Sequence, residues 1–230
     1  MKILTRVLTS ALLISASVVC AAPVNQFYGA IEGGIYQAQF NSSYIDQTDV
    51  IPQNISGSLI QNGYIGGLAL GYTRLINPRY FVSVELTGNI EGDSALYQSG
   101  AANTAFSDKI QINDNVDLSL VPGIMTESAF SPYFRLGISY ASVRDRLTSP
   151  VGYDPTNTQF NSNKNIFGLV AGLGVKYAIN DRIGLFVEAN YHDYGTINFS
   201  SFQNFSADYT HSAHLYSYAA LIGATYAFNV

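Results

Sequence analysis

Apolar residues alternate with small or polar ones in eight separate stretches of this chain, and the charged residues deep in those stretches all keep to one parity. Period two is the spacing of a β-strand with one apolar face. The stretches cover residues 26–38, 60–74, 79–91, 109–125, 132–145, 164–178, 182–194 and 212–229. The apolar parity reads Phe27, Gly29, Ile31, Gly33, Ile35 in the first and Phe167, Leu169, Ala171, Leu173, Val175, Tyr177 in the sixth. Glu32, Glu85, Asp117, Arg135, Lys176 and Glu188 stand on the other parity. A charge turned to lipid at mid-depth costs about 2–4 kcal/mol for Arg or Lys. Such segregation is what a wall between lipid and a polar interior requires.

A soluble barrel alternates too, with its apolar face inside. Two features oppose that inversion. The polar parity is built from small residues (Gly67, Ala69, Gly71; Gly168, Gly172, Gly174) in place of the long charged side chains of a soluble exterior. Tyr64 and Tyr72, and Phe167 and Tyr177, sit toward the ends of the apolar parity, where interfacial girdles lie. Charged residues are 12% of the chain, against roughly 25% in soluble domains. No stretch reaches the roughly 20 apolar residues of a spanning helix, and a closed barrel is the other structure that satisfies every backbone group in lipid. The expected fold is all-β, an eight-stranded antiparallel up-and-down transmembrane β-barrel.

The N-terminus reads as an export signal. Lys2 and Arg6 precede the apolar run Val7 to Val19, then Cys20-Ala21-Ala22. Cleavage after Ala21 puts Val19 and Ala21 at the −3 and −1 positions, so residues 1–21 are expected to be a signal peptide and 22–230 the barrel. Val18 and Val19 make a poor lipobox before Cys20. Removing Lys2 and Arg6 from 11 basic residues leaves 9 against 16 acids, a net charge of −7 without cysteine. Disulfides, thiolate metal sites and nucleic-acid binding are thereby excluded.

The spacers 39–59, 92–108, 146–163 and 195–211 are long, whereas 75–78, 126–131 and 179–181 are short. Outer-membrane barrels have short periplasmic turns and long external loops. The expected location is the bacterial outer membrane with both termini periplasmic. Asn77-Pro78 and Asn180-Asp181 supply turn chemistry in the short connections.

On Gly63-Tyr64-Ile65-Gly66-Gly67-Leu68-Ala69-Leu70-Gly71-Tyr72, Tyr80-Phe81-Val82-Ser83-Val84-Glu85-Leu86 and Ala220-Leu221-Ile222-Gly223-Ala224-Thr225-Tyr226-Ala227-Phe228, the chain resembles the family of small eight-stranded outer-membrane barrels. That family includes the N-terminal domain of outer-membrane protein A, its small relatives and the opacity proteins. The likeness spans the mature chain as a pattern. It implies that the barrel-assembly machinery reads the C-terminal strand, where the aromatic is Phe228 with Asn229 and Val230 beyond it. The chain stops with its last strand, so a peptidoglycan-binding domain is not carried over.

Function is sought in two places. Glu32, Glu85, Asp117, Arg135, Lys176 and Glu188 are expected to form a lumenal charge network neutralising a filled interior, since eight strands leave room for little but side chains. The alternative is a gate whose ion pairs swap to open a narrow pore, as the resemblance allows. The four long loops are rich in Asn, Ser, Gln and aromatics, and Asn198-Phe199-Ser200 is repeated as Asn204-Phe205-Ser206. Phe199, Phe202, Phe205 and Tyr209 are the candidates for an adhesive loop surface; packing on one another to hold the loop down is the competing reading. Some barrels of this size modify lipid A, and a deacylase presents His-x-Ser on one strand face. Here His192 is followed by Tyr194, His211 by Ala213 and His214 by Tyr216, and only Ser212 and His214, beside Asp208, share a face in reversed order. No catalytic, cofactor or metal residue is therefore expected, and the chain reads as a structural or surface-interaction, adhesin-like barrel. Its partners would be outer-membrane lipid, lipopolysaccharide, the assembly machinery and host surface molecules.

Overall fold

In the computed structural model, which describes residues 25–46, 53–92, 95–99, 106–148, 159–204 and 207–228, the alternating stretches are strands. They are β1 (Gln26–Asp46), β2 (Gln53–Asn77), β3 (Tyr80–Gly92), β4 (Ala95–Ser99), β5 (Phe106–Ile124), β6 (Phe130–Thr148), β7 (Gln159–Ala178), β8 (Ile183–Asn204) and β9 (Ala207–Phe228). Each pairs antiparallel with its neighbours, and β3 joins β5 while β9 joins β1. Eight strands therefore close a barrel. β4 is additional, a five-residue strand laid on the outer part of β5. The proposed signal peptide lies outside the described residues.

The short connections owe their shape to asparagine. Asn77 Oδ1 accepts from the backbone N–H of Arg79 (2.9 Å) and Tyr80 (3.0 Å). Asn180 Oδ1 accepts from those of Arg182 and Ile183, both at 2.8 Å. A side chain that mimics a backbone turn leaves no orphan donor at a tight reversal.

The long connections differ from expectation. The described residues of 39–59, 92–108, 146–163 and 195–211 are strand: β1 and β2 stay paired out to Asp46↔Gln53, β6 and β7 to Thr148↔Gln159, and β8 and β9 to Asn204↔Ala207. β1 has 21 residues and β2 has 25, roughly twice the 9–11 that a tilted strand needs to cross a bilayer. The reason is that alternation persists with its outward members changed from apolar to Gln, Asn and Ser. Gln37 donates to Asn62 (2.8 Å), Gln39 to Ser58 (3.0 Å) and Arg144 to Asn163 (3.2 Å) across neighbouring strands. Water, not lipid, suits that surface.

Below this hairpin layer the outer face is apolar. Ile31, Leu68, Leu70, Leu86, Leu118, Leu136, Leu169, Leu173 and Ile222 project outward and are exposed. Aromatic pairs border the band: Phe27–Tyr72 and Phe130–Tyr177 toward the termini, Tyr140–Phe167 and Tyr191–Tyr218 toward the hairpins.

Above the second girdle the wall divides. β7 and β8 pair only from Ala178↔Gly184 to Leu169↔Asp193, and β3 ends at Gly92. Among the described residues the hairpin layer is thus hydrogen-bonded as two sheets, β2-β1-β9-β8 and β4-β5-β6-β7, with β4 still close to β2. Between them lie Phe40, Ala213, Leu215 and Ile197 from one sheet and Ile110, Ile112, Ala141 and Val143 from the other, all buried in one cluster. Bulges at Ile112/Asp114 and Asp193/Gly195 shift the register near this boundary. Gly195 adopts φ 67°, the left-handed conformation such a bulge demands.

Candidate functional site

Register builds the lumenal site. In β1, β2 and β3 the residues Tyr28, Gly71 and Glu85 stand side by side in one row. In β6, β7 and β8 the same row reads Tyr133, Gly174, Glu188. Glycine lets each ring lie across the middle strand: a Cβ at Gly71 would come 2.4 Å from Tyr28 Cζ, and one at Gly174 would come 2.4 Å from Tyr133 Cζ. Each phenol thereby reaches a carboxylate two strands away. Tyr28 donates to Glu85 Oε2, and Tyr133 donates to Glu188 Oε2 at 2.6 Å.

Arg135 joins the two rows. Its Nη2 donates to Glu85 Oε1, its Nε to Glu188 Oε1 (2.9 Å) and its Nη2 also to Glu188 Oε2 (3.2 Å). Thr87 and Asn190 donate to the remaining lobes of Glu85 and Glu188, at 3.3 and 2.7 Å. All three charges are buried. A guanidinium fork suits this task because its donors diverge in one plane toward two carboxylates.

A third row has the same form with one atom missing. Phe186, Gly223 and Glu32 align across β8, β9 and β1, and a Cβ at Gly223 would come 2.3 Å from Phe186 Cζ. Phenylalanine has no hydroxyl to give. Glu32 is buried without a hydrogen bond or ion pair among the described residues.

Toward the hairpins the lumen changes partners. Asp117 Oδ2 meets His192 Nε2 at 3.1 Å, and the His192 ring stacks on Tyr194. Tyr194 shares a hydrogen bond of 3.1 Å with Ser139, and Asn115 donates to Glu91 at 3.0 Å. Above these the apolar cluster between the two sheets fills the interior.

The six charges expected in one network are therefore four groups. Only Arg135, Glu85 and Glu188 are joined by ion pairs. Lys176 does not pair with the acids: its Nζ lies 4.8 Å from the centroid of the Tyr28 ring and 5.2 Å from that of Tyr133. Asp117 belongs with His192, and Glu32 stands apart. Tyr28, Tyr133, Glu91, Asn115 and His192 were not anticipated as members. Their signal was present, since each stands on the inward parity; what was missing was the register that aligns an aromatic, a glycine and an acid.

The loop candidates are also relocated. Phe199 and Phe202 belong to β8, paired with His211 and Tyr209 of β9, so they are strand positions on a hairpin and not loop tips. Phe205 lies outside the described residues. His214 Nε2 is 3.6 Å from Asp193 Oδ1, whereas Asp208 pairs through its backbone with Gln203 further up the hairpin.

This chain is similar to known proteins along most of its length. It is 28% identical over 215 residues to a protein of Coxiella burnetii, covering 86% of this chain and 82% of the relative. It is 29% identical over 176 residues to outer membrane protein PagN of Salmonella typhimurium, covering 71% and 72%. The crystal structure of the outer membrane protease OmpT from Escherichia coli superimposes with a TM-score of 0.51 at 11% identity, over 92% of this chain and 99% of that one; this likeness concerns the fold alone. The model of the outer membrane protein beta-barrel domain matches residues 7–228. A closed wall with an apolar outer band, paired girdles and a charged lumen is what that match leads one to expect, and the chain belongs to this family of bacterial outer-membrane β-barrels.

Proposed function

We propose that the barrel is a closed anchor and that its work is done by the hairpin layer, as a non-enzymatic surface-interaction protein. The observation that carries this reading is the apolar cluster around Phe40, Ile112, Val143 and Leu215, which fills the interior above the charged lumen. A wall filled in this way offers no water path, while the strands continue outward as paired hairpins with a polar face. In this reading residues 1–21 are the cleaved export signal, both termini face the periplasm, and the hairpins project from the cell past lipopolysaccharide. Long, largely uncharged strand edges at β7 and β8 suit contact with another macromolecule.

The test replaces residues 199–211 by Asn-Gly, a two-residue turn that preserves hairpin register at Asn198↔Ser212. Binding of expressing cells to a host-cell surface should be lost, while heat-modifiable gel migration, the sign of a folded barrel, is retained. Binding that survives the shortened hairpin removes this hairpin from the account. Protease added to intact cells should cut within 39–59 or 146–163; cutting confined to the short turns would invert the orientation.

A further inference from the structure

The end of the barrel that carries the termini holds a cavity of about 100 Å³, lined in part by Gln26, Tyr28, Thr73, Ser131, Lys176 and Arg182. Lys176 is the lumenal cation that stands outside the ion-paired cluster. Its ammonium faces the rings of Tyr28 and Tyr133, whose hydroxyls are committed to Glu85 and Glu188. Among the described residues it has no hydrogen-bond acceptor and no ion pair. Ring faces hold a cation in place without consuming its three N–H donors. Ser131, on the same wall, spends its hydroxyl on the Met125 sulfur at 3.8 Å, a weak acceptor. Arg182 adds a second positive charge at the mouth, and Asp181 is the one carboxylate on the lining.

We infer that this vestibule is a binding site for a small oxyanion, of acetate to phosphate size, held by Lys176 Nζ and the Ser131 hydroxyl with Arg182 at the entrance. The volume fits the class: about 100 Å³ has room for several waters or one such anion. Arg135 and Lys176 together already offset Glu85 and Glu188, so a bound anion adds a net charge and is held weakly. The site is independent of the hairpin layer and of the role proposed for it.

The experiment uses the refolded chain in an uncharged maltoside micelle, with lysine carrying ¹³C at Cε. Beyond residue 21 the sequence has Lys109, Lys164 and Lys176 only. The Lys176 resonance should be displaced by the two ring currents. It is assigned by its loss in Lys176→Met or, if that variant does not fold, by elimination with Lys109→Arg and Lys164→Arg. Titration at fixed pH with sodium acetate and with sodium phosphate should move this resonance saturably for at least one of them, with sodium chloride as the ionic-strength control. Ser131→Ala should weaken the response several-fold. A resonance that stays fixed at tens of millimolar of both oxyanions, or that follows chloride equally, or three lysines that drift together, would show a cavity that holds water only.

Discussion

The two layers of this wall obey opposite rules. In the membrane band the outward parity is apolar (Leu68, Leu118, Leu136) and the inward parity carries Glu85, Arg135 and Glu188. In the hairpin layer the outward parity is Gln37, Asn62, Asn163 and the inward parity is Phe40, Ile112, Leu215. Several of the same strands run through both. What changes is the solvent outside, and the interior takes whatever the exterior does not: lipid outside leaves room for a charged lumen, and water outside imposes a hydrophobic core. The inversion also decides what each layer is made to resist. A bilayer holds the band together through its closed ladder, whereas the two hairpin sheets cohere by packing.

Breaking the charged layer should have the largest effect. Arg135→Ala leaves Glu85 and Glu188 without the ion-pair partner that joins them, and the loss should be about 3–5 kcal/mol in urea unfolding from detergent. A variant as stable as the parent would mean the lumen is wet enough to screen both acids. Breaking the hydrophobic layer should cost somewhat less and stay local. Leu215→Ala removes a fully buried side chain between the sheets, worth about 2–5 kcal/mol. The expected readout is faster hydrogen exchange in residues 37–46 and 207–215 with unchanged heat-modifiable migration. Loss of the folded band on gels would show that the two layers are one cooperative unit.

The smallest effect sharpens the comparison within the lumen itself. If the three aromatic–glycine–glutamate rows are equivalent, Phe186→Tyr supplies Glu32 with the hydroxyl that Tyr28 and Tyr133 already give to Glu85 and Glu188. The barrel should gain about 0.5–1.5 kcal/mol. An unchanged or lowered unfolding midpoint would show that the third row differs in geometry and not merely in one oxygen.

Most of the membrane band was legible in the sequence because lipid enforces a strict outward parity. Each of the eight strands that close the barrel was found, and the inward placement of all six charges follows from parity alone. The hairpin layer was not legible for the same reason inverted: Gln37, Gln39 and Asn41 alternate with Ala38 and Phe40, and a run of Gln, Asn and Ser reads as loop when the expected outward residue is apolar. The five-residue β4 adds a strand where only a long connection was expected. Within the lumen, parity placed Lys176 and Arg135 together, but which acid each meets depends on register across three strands. Gly71 and Gly174 look like any small inward residues until their opposite numbers are known.

The central claim is that the interior is closed, by ion pairs within the membrane and by the apolar cluster above it. Conductance of the refolded full chain in a planar bilayer tests it most directly. The account predicts a quiet membrane across the voltage range, with no resolved openings, for the parent barrel. Reproducible unitary steps that scale with protein added would contradict it, and would return the charged lumen to the role of a pore.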